Sequence, residues 1–309
     1  MKLDGLHHIT MITADAQRTV DFTAGVLGLR MVKKTVNFDA PDAYHLYFGD
    51  EQGSPGSILT WFEFVGAGPG RAGAGMVHTI QLGVPSEASL TFWAERLTAH
   101  GHGSERGERS LVFTDGDGLR FELVIAAAGN TPLRAQHPDV PAEHAIVGVE
   151  GARAYIARGT DADRELLTRT LGFTELGDGD YRLDGDRRQF SWAYDQATER
   201  GLQGAGTVHH IAWQSPDADH LPWQQRVANA GMSVTPIIDR DYFHSIYFRQ
   251  PQGILFEIAT TSPGFAVDED PEHLGEGLRL PKQHEHLRPI LERELTPLSN
   301  PRAIARQGA

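Results

Sequence analysis

Cysteine is absent from the 309 residues. That excludes disulfides, thiolate metal sites and cysteine nucleophiles, so a metal would have to be held by His, Asp or Glu. Basic residues are scarce: 28 Lys and Arg stand against 41 Asp and Glu, a formal net charge of −13, and no Lys/Arg cluster occurs. Nucleic acid is not an expected partner, because phosphate binding needs a basic surface. Long apolar runs are missing too: none approaches the roughly 18–20 residues of a membrane span, and the opening MKLDGLHHIT lacks the apolar core of a signal peptide. The expectation is a cytoplasmic globular protein with no membrane partner. With 40% hydrophobic residues the chain can bury one large core or two ordinary ones.

Histidine, in contrast, is plentiful at 15 residues, and LHHIT (6–10) recurs as VHHIA (208–212). Each copy opens one of four repeats of strand, helix and three short strands, with a period of roughly 60–70 residues. The first begins at LHHITMIT, with Asp15 as helix N-cap and Gly28 as stop, and continues through LRMVKKTVNF, YHLYFGD and SILTWFEF. The others begin at MVHTIQLGV, IVGVEGARAYIA and VHHIAWQSP, and LGL (27–29) and LGF (171–173) end the helices of the first and third at matching points. The second repeat has a weak second strand.

A βαβββ unit leaves one sheet face uncovered and should pair with another copy. The fold class is therefore α+β, four βαβββ modules in two domains with concave mixed sheets. The divisions fall at 1–135, 136–262 and a tail over 263–309 with one amphipathic helix, the boundary lying in GNTPLRAQHPDVPAEH (129–144). The charged tail helix offers a surface for homo-oligomer formation.

His8 and His210 each stand seven residues before an Asp, Asp15 and Asp217, and are equivalent by the repeat. In LFEIA, alternation turns Glu257 away from Phe256 and Ile258, and a carboxylate aimed into a half-barrel needs a positive partner. With units one and four paired about a pseudo-twofold axis, the three side chains converge. Two imidazoles and one carboxylate suit a non-haem Fe(II) centre with open positions, and Zn(II), Mn(II) or Ni(II) would accept the same ligands. The second unit carries His78 and Glu122 at what read as corresponding places, but the third offers only Gly151 or Ala152. This pair reads as vestigial or structural.

LHHIT, YHLYFGDEQGSPGSILTWFEF, VHHIAW and DRDYFHSIYFRQPQGILFEIAT resemble the vicinal oxygen chelate superfamily of glyoxalases and extradiol dioxygenases, within it the hydroquinone ring-cleaving dioxygenases, over about residues 4–262. The tail LRLPKQHEHLRPILERELTPL is similar as well. The resemblance implies Fe(II) held by His8, His210 and Glu257, a small aromatic substrate and O2. It carries neighbouring roles onto His7, Thr10, His209, Arg240 and Tyr247. Ligands from units one and four depart from the catechol-cleaving enzymes, which use units three and four.

Arg240 could meet a substrate oxygen through its donor fork, and Tyr247 could donate a hydrogen bond or move a proton. On an ideal strand residues 7 and 209 alternate away from the ligands, so entry into the pocket needs a twist or bulge. Trp61, Phe62, Trp192, Trp213 and Phe243 are candidate pocket aromatics. Two other functions use the same scaffold: a glyoxalase-like isomerase or epimerase, which needs a second glutamate, and a non-catalytic protein that sequesters an aromatic ligand.

Overall fold

A computed structural model describes residues 1–301 of the chain. Its four units follow the expected order. Unit one has β1 (Leu6–Thr13), α1 (Ala16–Val20), β2 (Arg30–Val36), β3 (Tyr44–Gly49) and β4 (Ile58–Glu63). Unit two has β5 (Met76–Val84), α2 (Glu87–Ala99), β6 (Ser104–Arg106), β7 (Ser110–Thr114) and β8 (Arg120–Ile125). Unit three has β9 (Val149–Ile156), α3 (Asp161–Glu165), β10 (Thr174–Gly177), β11 (Asp180–Asp184) and β12 (Gln189–Gln196). Unit four has β13 (Thr207–Ser215), α4 (His220–Asn229), β14 (Ile238–Asp239), β15 (His244–Arg249) and β16 (Leu255–Thr260). The weak strand of unit two is β6, three residues long.

Local chemistry sets the helix ends. The Asp15 side chain accepts from Arg18 N, and Gly28 supplies the left-handed φ of 71° beyond the helix. Units one and three share π-helical final turns, Asp21–Val26 and Leu166–Leu171, behind the matching LG pairs. Asp217 differs from Asp15: its carboxylate accepts from Thr261 N and α4 begins three residues later, so it ties the chain just after β16.

Two eight-stranded sheets result, ordered β14-β15-β16-β13-β1-β4-β3-β2 and β10-β11-β12-β9-β5-β8-β7-β6. Units one and four build the first, units two and three the second. Strand pairing thus runs across the 135/136 division, and neither sequence half closes a sheet of its own. β1 pairs antiparallel with β13 and parallel with β4, placing the first and last units edge to edge. Trp61, Trp93, Trp192, Trp213 and Trp223, all nearly inaccessible, fill the core on the face away from the concavity.

The tail packs on the body. Lys33, fully buried on β2, pairs with Asp268 and Glu269, and Phe265 lies 5.0 Å from the Tyr47 ring. The expected tail helix is α5 (Arg288–Glu294), and residues 302–309 lie outside those described. No helix among the described residues is long and apolar enough to cross a membrane.

Candidate metal centre

The double histidines sit where the β1–β13 ladder slips. His7 is the extra residue between the pairs Leu6↔Trp213 and His8↔Ala212, and His209 the extra residue between Thr10↔His210 and Met11↔Val208. A bulge lets one strand carry two residues against one. Leu6 and Ile9 therefore both reach the core while His8 turns to the concave face, and Val208, Ile211 and His210 repeat the arrangement.

His8 Nε2 lies 3.3 Å from His210 Nε2 and 3.3 Å from Glu257 Oε2, which is 2.9 Å from His210 Nε2. All three residues are at least 96% buried. Oε2 is buried and has no assigned hydrogen-bond partner. Three lone-pair atoms facing one another call for a cation between them. Ligands about 2.1 Å from a common centre, at octahedral or tetrahedral angles, lie about 3.0–3.4 Å apart, so these residues fit a single divalent first-row ion. Among the described residues no other group of three carboxylate or imidazole ligands comes together.

The bulge residues stand beside the candidate ligands. His8 Nδ1 is 2.9 Å from His7 Nδ1 and His210 Nδ1 is 2.8 Å from His209 Nδ1. Burial, then the neighbouring histidine, lowers His7 and His209 each to about 3, leaving both neutral. As acceptors they would take the Nδ1 proton of each candidate ligand and leave its Nε2 lone pair for a metal. Ser245 donates to Glu257 Oε1.

Above the ligands opens a cavity of about 470 Å³, with Phe38, Phe62, Phe64, Phe243, Ile238 and Leu255 among its apolar walls. Tyr247 and Arg240 line one side: Arg240 Nε donates to Tyr247 Oη at 3.3 Å and Nη1 reaches Asp39 at 3.3 Å. His209 lines the cavity as well, whereas His7 is buried against Phe243. Thr10 is buried beside the ligands and accepts from Thr60 Oγ1. Of the five aromatics singled out in the sequence, Phe62 and Phe243 line the cavity; Trp61, Trp192 and Trp213 belong to the core.

Two residues of this wall were missed in the sequence. His45 and Tyr47 both line the cavity from β3 and are joined by a 2.9 Å hydrogen bond, with His45 Nε2 2.6 Å from Thr60 Oγ1. Their two-residue spacing puts them on one face, and Tyr47 stands against Thr60 as Tyr247 stands against Glu257.

The second sheet carries no comparable set. Its bulge residues are His78 and Glu150, so Thr79 occupies the His210 position and Gly151 the His8 position. His78 is thus one residue off the ligand place assigned to it. It stacks on Tyr155 and lies 2.8 Å from Asp195, while Glu122 accepts from Gln81. A Cβ at Gly151 would sit 2.4 Å from Gln81 Oε1 and 2.8 Å from Ser191 O, which excludes a larger residue.

Known proteins agree with this architecture. MhqO of Bacillus subtilis, described as a ring-cleaving dioxygenase, is 43% identical over 96% of this chain and 97% of its own. A chlorohydroquinone/hydroquinone 1,2-dioxygenase of Sphingobium indicum is 32% identical over 95% and 96%. The crystal structure of a Bacillus subtilis protein described as a dioxygenase superposes with a TM-score of 0.90 at 41% identity, covering 97% of this chain and 98% of that one. Zea mays glyoxalase I, at 13% identity and a TM-score of 0.60 over 84% and 92%, shares the fold. Residues 5–123 and 154–258 match one family, and the chain belongs to it: the Glyoxalase/Bleomycin resistance protein/Dioxygenase superfamily.

Proposed function

We propose that the chain opens the ring of a hydroquinone-type or catechol-type substrate with O2, in an extradiol-type reaction at Fe(II) held by His8, His210 and Glu257. The carrying observation is the triangle of ligand atoms 2.9–3.3 Å apart, at the floor of an aromatic-walled cavity. Its whole-length relative that acts on chlorohydroquinone and hydroquinone supports the substrate class.

When bound, the ion acidifies a coordinated hydroxyl and supplies the electron transfer that makes O2 reactive towards the ring. The protein does the rest. The aromatic walls hold the ring and exclude water. Arg240 Nε–H occupies the Tyr247 oxygen, so the Tyr247 proton points onward as a donor, and the Arg240 fork adds fixed positive charge for a substrate oxyanion. Tyr247, pushed up chiefly by burial, stays protonated for that role. His7, His209 and Thr10 hold the ligands in orientation.

A glyoxalase-like isomerase would need a second carboxylate opposite Glu257, and Thr60 fills that place. A purely sequestering protein has no use for a complete ligand triangle. The test is O2 uptake by anaerobically Fe(II)-loaded protein with a panel of hydroquinones and catechols, with Zn(II)-, Mn(II)- and Ni(II)-loaded controls. Uptake with both atoms of labelled O2 in a ring-opened product is expected. No uptake with any diphenol would refute the reading.

A further inference from the structure

The two tyrosines that face each other across the concave sheet are wired with opposite polarity. On one flank, Tyr247 pairs with Glu257 on β16, beside β13; on the other, Tyr47 pairs with Thr60 on β4, beside β1. The Glu257 flank is occupied by a ligand. The Thr60 flank is not, because a threonine is too short to ligate and its hydroxyl is engaged: it donates to Thr10 Oγ1 at 3.3 Å. A molecule entering the open side of the centre therefore meets His45 and Tyr47, behind which Thr60 is buried.

The proton order on that flank follows from counting. With the Thr60 hydroxyl proton directed to Thr10, Thr60 accepts from His45 Nε2–H at 2.6 Å, which sets the His45 tautomer. His45 Nδ1 is then an acceptor, and the hydroxyl 2.9 Å away, that of Tyr47, donates to it. The Tyr47 oxygen thus presents only lone pairs to the cavity it lines. Tyr247 presents the reverse: its oxygen accepts from Arg240 Nε–H, which leaves its hydroxyl to act as a donor.

We infer that Tyr47, locked by His45, is the acceptor for a substrate hydroxyl that does not bind the metal, and that it selects phenols carrying a second hydrogen-bond donor across the ring. Resting on the diphenol reading above, this adds what distinguishes a diphenol from a simple phenol: one oxygen is received by donors at Tyr247 and Arg240, the opposite hydroxyl by an acceptor at Tyr47. Tyr47 touches substrate; His45 is a positioning residue acting through it.

Binding tests this without turnover. Zn(II)-loaded protein, redox-silent, is titrated calorimetrically with hydroquinone, 4-aminophenol and 4-fluorophenol, which are alike in size while fluorine cannot donate. The wild type should prefer the two donors over 4-fluorophenol by about tenfold, since a buried acceptor left unpaired costs about that much. Tyr47→Phe should bring all three within about twofold, with zinc content unchanged. His45→Phe should weaken the preference, because the freed Tyr47 proton can turn to the cavity, and His45→Gln, which restores an acceptor, should recover it. Equal binding of hydroquinone and 4-fluorophenol by the wild type overturns the inference, as does an undiminished preference in Tyr47→Phe. Both arms are independent of O2 uptake, so failure of the dioxygenase reading would show separately.

Discussion

Replacing Glu257 by Gln should stabilise the metal-free protein while ending its capacity to hold metal. Ser245 donates to Oε1 and would hold the amide oxygen of the new residue in that place. The amide nitrogen then replaces Oε2, 2.9 Å from His210 Nε2 and 3.3 Å from His8 Nε2. A buried acceptor without a donor becomes a donor facing two lone pairs. Removing the unsatisfied group is worth about 1–3 kcal/mol and a new hydrogen bond contributes about 1, so a gain of at least about 2 kcal/mol is expected. In a chain of this size that raises Tm by about 4 °C, at roughly 2 °C per kcal/mol. The wild type should instead be stabilised by metal, by about 2.7 kcal/mol at a hundred times Kd. Calorimetric melting of both proteins, with chelator and with metal, checks the reasoning. It fails if the chelated variant melts below the chelated wild type, or if metal shifts both equally.

Other perturbations follow from named contacts. Glu269→Gln leaves Lys33 buried with only Asp268 as a carboxylate partner and should cost about 3 kcal/mol in urea unfolding; adding Lys33→Met should recover part of the loss, and a single-variant cost below about 1 kcal/mol would contradict the lock. His209 is lowered from 6.5 to about 3 by burial, so the unfolded chain binds its proton first as pH falls, and stability drops between those values by up to about 1.4 kcal/mol per pH unit. His209→Phe should flatten that slope in chelated protein and weaken metal affinity by about 10–100-fold in equilibrium dialysis. Thr60→Glu places a carboxylate opposite Glu257; metal should be retained more tightly against chelator while O2 uptake is lost, and full activity would show that the Thr60 flank is not where substrate enters.

The repeat and the convergence of His8, His210 and Glu257 were legible because their signals are local: helix caps, LG stops, and one polar residue turned against apolar neighbours. The pairing of His8 with His210 needed only the repeat. The bulges were harder, since β1 is buried along all eight residues and gives no alternation to count. Yet LHHI, VHHI, VHTI and VEGA each place two residues between core apolars, the mark of one extra residue, and reading them so would have put His78 beside its ligand position instead of on it. His45 and Tyr47 escaped because all six residues of β3 are buried, which hides the difference between a core face and a cavity face. The hydrogen-bond partner of His45, Thr60, comes from a neighbouring strand and can be assigned only once the β3–β4 register is known.

Joining the first unit to the fourth has a consequence for how the enzyme matures. His8 and His210 are 202 residues apart, and closing so long a loop is entropically unfavourable until the strands between them have found their places. A nascent or clipped chain that has lost either outer unit holds at most part of the donor set. Metal capture would then act as a receipt for finished folding, withheld from every incomplete form, and the ion would in turn fasten the two ends of the folded body to each other.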